Sequence, residues 1–122
     1  MRILLIDDEP DIRMIARMSL SVLGGMDVTE AASGAEGIDK ARASLPDAIL
    51  LDMMMPSLDG AGTLARLQAD PLTRAIPVIF LTAKAMTSEV ERLQGLGAAG
   101  VLTKPFDPET LATQVNAILE RR

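Results

Sequence analysis

Cysteine, histidine, tryptophan and tyrosine are all absent from this chain of 122 residues, and phenylalanine occurs only twice. Without histidine or cysteine the chain cannot build a Ser-His-Asp or Cys-His nucleophile from its own residues, and it lacks the usual zinc ligands. Without cysteine there are no disulfides, a composition that a reducing cytosol accommodates. No apolar stretch approaches the roughly 20 residues of a membrane span. Positive charge is also scarce: 12 Lys and Arg against 17 Asp and Glu leave a net charge of −5, the wrong sign for binding a nucleic-acid backbone. Met1-Arg2 runs straight into a strand-like segment with no small-residue cleavage site, so no signal peptide is expected, and the expected location is cytoplasmic. Carboxylate, hydroxyl and amine chemistry remain, together with hard cations that prefer oxygen.

The length fits one domain, residues 1–122, large enough to bury roughly two-thirds of its unfolded surface. Ile3 to Ile6, Ala48 to Leu51 and Val78 to Leu81 are unbroken apolar runs, as expected of central strands covered by helices on both faces. Asp27 to Ala31 and Val101 to Thr103 are weaker and read as edge strands. Helical stretches alternate with these runs, which predicts an α/β fold with a doubly wound parallel sheet. Pro10 suits a first helical position, and Ile12, Ile15, Ala16, Leu20 and Leu23 follow at helical spacing until Gly24-Gly25. Ser33 and Glu36 match a capping box. A third helix is expected from about Leu58 to Ala69, a fourth capped by Thr87 or Ser88, and a fifth opening at Asp107-Pro108-Glu109.

Three kinds of polar group, carboxylate, hydroxyl and ammonium, stand just past four of the runs, at Asp7-Asp8, Asp52, Thr82 and Lys104. Each alone has an ordinary explanation, as a solvated turn, a loop acid, a strand threonine or a surface lysine. Together they fall where parallel strands would gather them on one carboxyl-terminal edge, the ligand-binding edge of open α/β sheets. Two carboxylates ~4 Å apart repel by about 4 kcal/mol at an effective dielectric of 20, which invites a cation. Mg²⁺ takes few protein oxygens and welcomes phosphate, so the site suits a metal and a phosphoryl group. Lys104 and Thr82 can meet further phosphoryl oxygens, and one carboxylate is left over as nucleophile.

The order Asp7-Asp8, Asp52-x-x-x-Pro56-x-x-x-Gly60, Thr82-Ala83, Lys104-Pro105-Phe106 closely resembles the receiver domain of two-component response regulators. The resemblance covers essentially the whole chain. It implies a flavodoxin-like (βα)5 fold with strand order 2-1-3-4-5. It implies that a phosphohistidine on a histidine kinase or a histidine phosphotransfer protein gives its phosphoryl group to Asp52. It implies Mg²⁺, or Mn²⁺ in its place, on Asp8 and Asp52, on Asp7 mainly through water, and on the backbone carbonyl of Met54. Thr82, Ala83 and Lys104 would meet the phosphoryl group, and the Lys104-Pro105 bond would be cis. Such a domain is a switch that catalyses only its own phosphorylation and dephosphorylation. Met54 and Lys84 stand where the family tunes water access, and an apolar residue at the first implies slow loss of phosphate.

One position departs from the family pattern. Receivers usually carry Tyr or Phe three residues before the lysine, and here that residue is Val101, which neither Phe80 nor Phe106 replaces. Switching is then expected through Thr82 and the Ala83–Met86 loop. Met14, Met18 and Val22 form a second apolar stripe on helix one, readable as a wide core face or as a docking surface for the phosphodonor. An Asp-nucleophile, Mg²⁺-dependent phosphohydrolase of the haloacid-dehalogenase type is the alternative, but it needs a second aspartate where Met54 stands. A flavin module fits less well, since acids follow the first strand and no Tyr or Trp can stack on a flavin. The chain is expected either to stand alone or to belong to a longer regulator.

Overall fold

A computed structural model of the chain describes residues 1–83 and 86–121. Five parallel strands form one sheet in the order β2-β1-β3-β4-β5. They are β1 (Arg2–Ile6), β2 (Asp27–Ala31), β3 (Ala48–Asp52), β4 (Val78–Thr82) and β5 (Gly100–Thr103). The helices are α1 (Pro10–Met18), α2 (Gly34–Ser44), α3 (Gly60–Ala69), α4 (Thr87–Gly95) and α5 (Leu111–Glu120).

The unbroken apolar runs follow from burial on both faces of the sheet. Ile3, Leu5, Leu50, Ile79 and Leu81 enter one core with Ala16 and Leu20 and with Leu111, Val115 and Ile118 of α5. Their neighbours Leu4, Ile6, Ile49, Leu51 and Phe80 enter the opposite core with Ala41 of α2, Leu64 and Leu67 of α3 and Leu93 of α4. Successive strand residues point to opposite faces, so only a strand covered twice needs every position apolar. The weak runs are edge strands, as expected.

Several helix boundaries differ from the sequence expectation. Helix one does not stay α-helical to Gly24: residues Ser19–Leu23 form a π-helical turn. There the Ser19 hydroxyl donates to the Pro108 carbonyl and the Ser21 hydroxyl to the Arg17 carbonyl. Hydroxyl bonds of this kind compete with the helical ladder and bend it. Ile15 and Leu23, expected in the core, are exposed. At α2 the Ser33 hydroxyl accepts from the Glu36 N–H at 3.1 Å, and Glu36 reaches back one residue further, to the Ala32 N–H. Asp59 caps α3 through the Gly62 N–H at 2.8 Å, so that helix begins at Gly60 and not Leu58. Neither Thr87 nor Ser88 caps α4, whose N-cap is Met86 without a side-chain bond. Asp107 instead organises a turn that receives the N–H groups of Glu109, Thr110 and Leu111, which delays α5 to Leu111. Among the described residues no helix is long and apolar enough to cross a membrane.

Candidate functional site

The strand order reverses between β1 and β3, because the chain moves outward from β1 to β2 and then returns to β3, β4 and β5. Such a reversal opens a crevice beyond the carboxyl ends of the strands. Asp7 and Asp8 follow β1 on one side of it, and Asp52 ends β3 on the other. Thr82 ends β4, the next strand over, and its carbonyl accepts the Lys104 N–H at 2.8 Å, which fixes the start of the β5–α5 loop. The Lys104-Pro105 bond is cis, as expected.

The side chains converge. The Lys104 ammonium lies 2.8 Å from Asp7 Oδ2 and 3.1 Å from Asp52 Oδ1. Asp7, Asp52 and Thr82 are buried, and Asp8 is partly so. Asp7 Oδ1 accepts the Glu9 N–H at 2.9 Å, and Asp52 Oδ1 accepts the Met54 N–H at 3.3 Å. Among the described residues Asp8 Oδ1 and Asp52 Oδ2 are buried with no hydrogen-bond partner, and Asp7 Oδ2 has the Lys104 ion pair. Burial, then the neighbouring charge of Asp7, pushes the Asp52 carboxyl up to about 6, against the pull of Lys104. Burial alone would lower the Lys104 ammonium, but its bonds and charges with Asp7 and Asp52 outweigh that and hold it above its ordinary value.

Oxygens of Asp7, Asp8, Glu9 and Asp52 lie within 4.8 Å of one another. An all-oxygen, carboxylate-rich cluster with unpartnered buried lone pairs is a chemical fit for a hard divalent cation. Glu9 is the addition that the sequence reading missed. It flanks Lys104 at 3.5 Å, and its signal was a third consecutive acid past the same strand end. Met54 is at the rim, largely exposed, and Ala83 is exposed beside Thr82. Lys84 lies outside the described residues. Val101 is half-buried beside Phe80, its register partner on β4, in the core toward α2, α3 and α4. Phe106 packs into the core on the opposite face. Met14, Met18 and Val22 are 49%, 52% and 74% exposed, so the wide-core-face reading of that stripe is wrong.

The fold and the grouped acids, hydroxyl and ammonium define a flavodoxin-like α/β domain with its charged groups gathered at one edge. The sequence profile of the response regulator receiver domain matches residues 3–116, and this chain belongs to that family. It is 41% identical over 122 residues to the DNA-binding dual master transcriptional regulator RpaA of Synechocystis, covering 98% of this chain and 49% of that one. It is 39% identical over 120 residues to Protein PilH of Pseudomonas aeruginosa, covering 97% of each. A putative response regulator from Chloroflexus aurantiacus superposes with a TM-score of 0.88 at 33% identity, covering 98% of each chain. The chain thus spans about half the length of RpaA and nearly all of PilH. It is a receiver domain of the two-component response regulators, and the phosphohydrolase alternative is not favoured.

Proposed function

We propose that Asp52 is the phosphoacceptor and that residues 1–122 act as one receiver unit in the cytoplasm. The phosphoryl donor is a phosphohistidine on a histidine kinase or a histidine phosphotransfer protein. The observation that carries this reading is the placement of a buried Asp52 carboxylate 3.1 Å from Lys104, beside three further acids, Asp7, Asp8 and Glu9. As the P–N bond of the donor breaks, a P–O bond forms to Asp52, and the imidazole leaves with its electron pair. Asp52 is raised toward pH 6 yet ionised at neutral pH, which makes it a more basic nucleophile than an ordinary carboxylate.

Asp8, Asp52 and the Met54 carbonyl would hold Mg²⁺ directly, with Asp7 acting mainly through water. A bound Mg²⁺ supplies charge neutralisation that draws the anionic phosphoryl group toward the carboxylates. Lys104 then pairs with a phosphoryl oxygen in place of one of its present carboxylates, and Thr82 and the Ala83 backbone meet the others. Only Asp52 is modified, and no metabolic substrate is turned over.

Incubation with acetyl phosphate and Mg²⁺ followed by intact-mass measurement tests this reading. One phosphoryl group should be gained, and Asp52→Asn should gain none. Steady hydrolysis of phosphate esters without a phosphorylated species would instead make the chain a phosphohydrolase.

A further inference from the structure

We infer that Arg13 and Glu30 form a brace that positions the acid loop for cation binding, although neither touches the cation site itself. The inference rests on the reading that Asp7 and Asp8 serve a divalent cation. Asp7 is where β1 stops, so its carbonyl points into the β1–α1 turn. The Arg13 guanidinium donates to that carbonyl at 2.7 Å. The same guanidinium meets Glu30 Oε1 at 3.5 Å through its Nε. Glu30 is fixed in turn, since its Oε2 pairs with Arg17 at 2.9 Å and its backbone carbonyl accepts from the Lys40 ammonium. Arg13 is mostly covered, 18% exposed, whereas Arg17, one turn along, is 44% exposed.

A planar fork that binds two acceptors at once fixes direction as well as distance. Here one end of the fork is set by an edge strand and the other holds the residue that begins the acid run. Outer contacts of this kind orient metal-ligating carboxylates, and their removal typically lowers metal affinity about 10-fold or more.

The sign of the effect separates a brace from bulk charge. Arg13 is a cation beside a cation site, so by Coulomb repulsion alone its removal strengthens Mg²⁺ binding. A brace predicts the opposite. Calorimetric titration of the intact chain with Mg²⁺ should show Arg13→Ala binding about 10-fold more weakly than wild type. Arg13→Lys, which keeps the charge but loses the fork, should recover only a small part of that loss. Arg13→Ala/Glu30→Ala should bind no more weakly than Arg13→Ala alone, because the two residues act as one unit.

Thermal unfolding in chelator accompanies each titration. A lowered transition with unchanged Mg²⁺ affinity makes Arg13 merely structural and overturns the brace, as does tighter binding in Arg13→Ala or wild-type affinity in Arg13→Lys. Should Arg13→Ala fail to fold, Arg13→Lys decides alone. A wild-type chain that binds no Mg²⁺ overturns the cation reading and this inference together. Binding lost in Asp8→Asn but kept in Arg13→Ala overturns this inference only.

Discussion

The Lys104 ammonium lies 3.1 Å from Asp52 Oδ1 while also lying 2.8 Å from Asp7 Oδ2, so one positive charge is shared by two buried carboxylates. Burial, and then the neighbouring charge of Asp7, outweigh that shared ammonium, and Asp52 rises to about 6 from an ordinary 3.8. A raised carboxyl means that the folded chain holds its proton more tightly than the unfolded chain. Its contribution to stability is fully present below 3.8 and is lost as pH rises through about 6. The loss amounts to at most about 3 kcal/mol, at 1.36 kcal/mol per unit.

Asp52→Asn removes this titration. In chelator, urea unfolding should show Asp52→Asn gaining on wild type as pH climbs from below 3.8 to above 6, by an amount on the order of 2 kcal/mol. Added Mg²⁺ should stabilise wild type and erase most of the difference. A constant gap across that range would mean that Asp52 does not titrate there.

Gly60 stands where the β3–α3 loop returns under its own strand. A Cβ there would lie 2.7 Å from the Asp52 carbonyl oxygen, 2.8 Å from Met53 Cα and 2.9 Å from the Phe80 ring. Two of those neighbours are backbone and cannot yield cheaply. Gly60→Ala should therefore destabilise by about 1–3 kcal/mol, and by shifting Asp52 it should slow phosphorylation by acetyl phosphate. Gly95 in α4 is the control, with nothing within 4 Å of the same position. Gly95→Ala should be neutral or stabilising. Equal melting temperatures for the two variants would refute the steric account.

Met14 and Met18 project from α1 into solvent, next to a mostly apolar hollow lined by Ile15, Met18, Ser19, Val22, Leu23 and Pro108. The turn just before α1 carries Asp7, Asp8 and Glu9, so a donor protein seated on α1 brings its histidine to the rim above Asp52. Met14→Glu should slow transfer from a phosphohistidine protein about 10-fold or more. Its rate with acetyl phosphate and its unfolding midpoint should stay near wild type. Equal slowing with both donors would place the defect in the site and not in docking.

The sheet and most of the site were legible because their signals are local. Unbroken apolar runs require two covered faces, and a charge directly after such a run has nowhere to go but the strand end, as Asp52 shows. Where long-range contacts decide, the sequence was silent. At the π-turn Ser19–Leu23 the Ser19 hydroxyl donates to the Pro108 carbonyl, 89 positions away in the chain. Periodicity cannot report that bond, and the apolar spacing continues unbroken through the turn to Leu23. The same spacing drew Ile15 and Leu23 into the core, because a helical pattern does not show how wide its buried stripe is. Nothing in the sequence near Glu9 reports its proximity to Lys104, which comes from a loop 95 positions away. Arg13 carried no motif, and its partners Asp7 and Glu30 are neighbours only through β1–β2 pairing.

Val101 leaves β5 without an aromatic switch, and its place beside Phe80 is already filled by packing. Phosphorylation is then expected to act through Thr82, Ala83 and Met86, while residues 84 and 85 lie outside the described residues. Phosphorylation should shift the amide resonances of Thr82, Ala83 and Met86 strongly and those of Val101 and Thr103 weakly. Larger shifts along β5 than at Thr82 would show that valine suffices for the rotation that an aromatic performs.

Met54 is 72% exposed two residues past Asp52, the proposed acceptor, and its N–H lies 3.3 Å from Asp52 Oδ1. Loss of an acyl phosphate needs a water placed in line behind phosphorus, and a methionine side chain offers that water no hydrogen bond. An amide there would hold it. Met54→Asn should therefore shorten the phosphorylated lifetime several-fold, equivalent to about 1 kcal/mol on the barrier. Phosphorylation by acetyl phosphate should still go to completion, because none of the charged groups has changed. The check is the decay of phosphorylated chain by intact mass after the donor is removed, with Mg²⁺ held constant. An unchanged or longer lifetime in Met54→Asn would show that the methionine does not limit water access, and the control would then pass to Lys84.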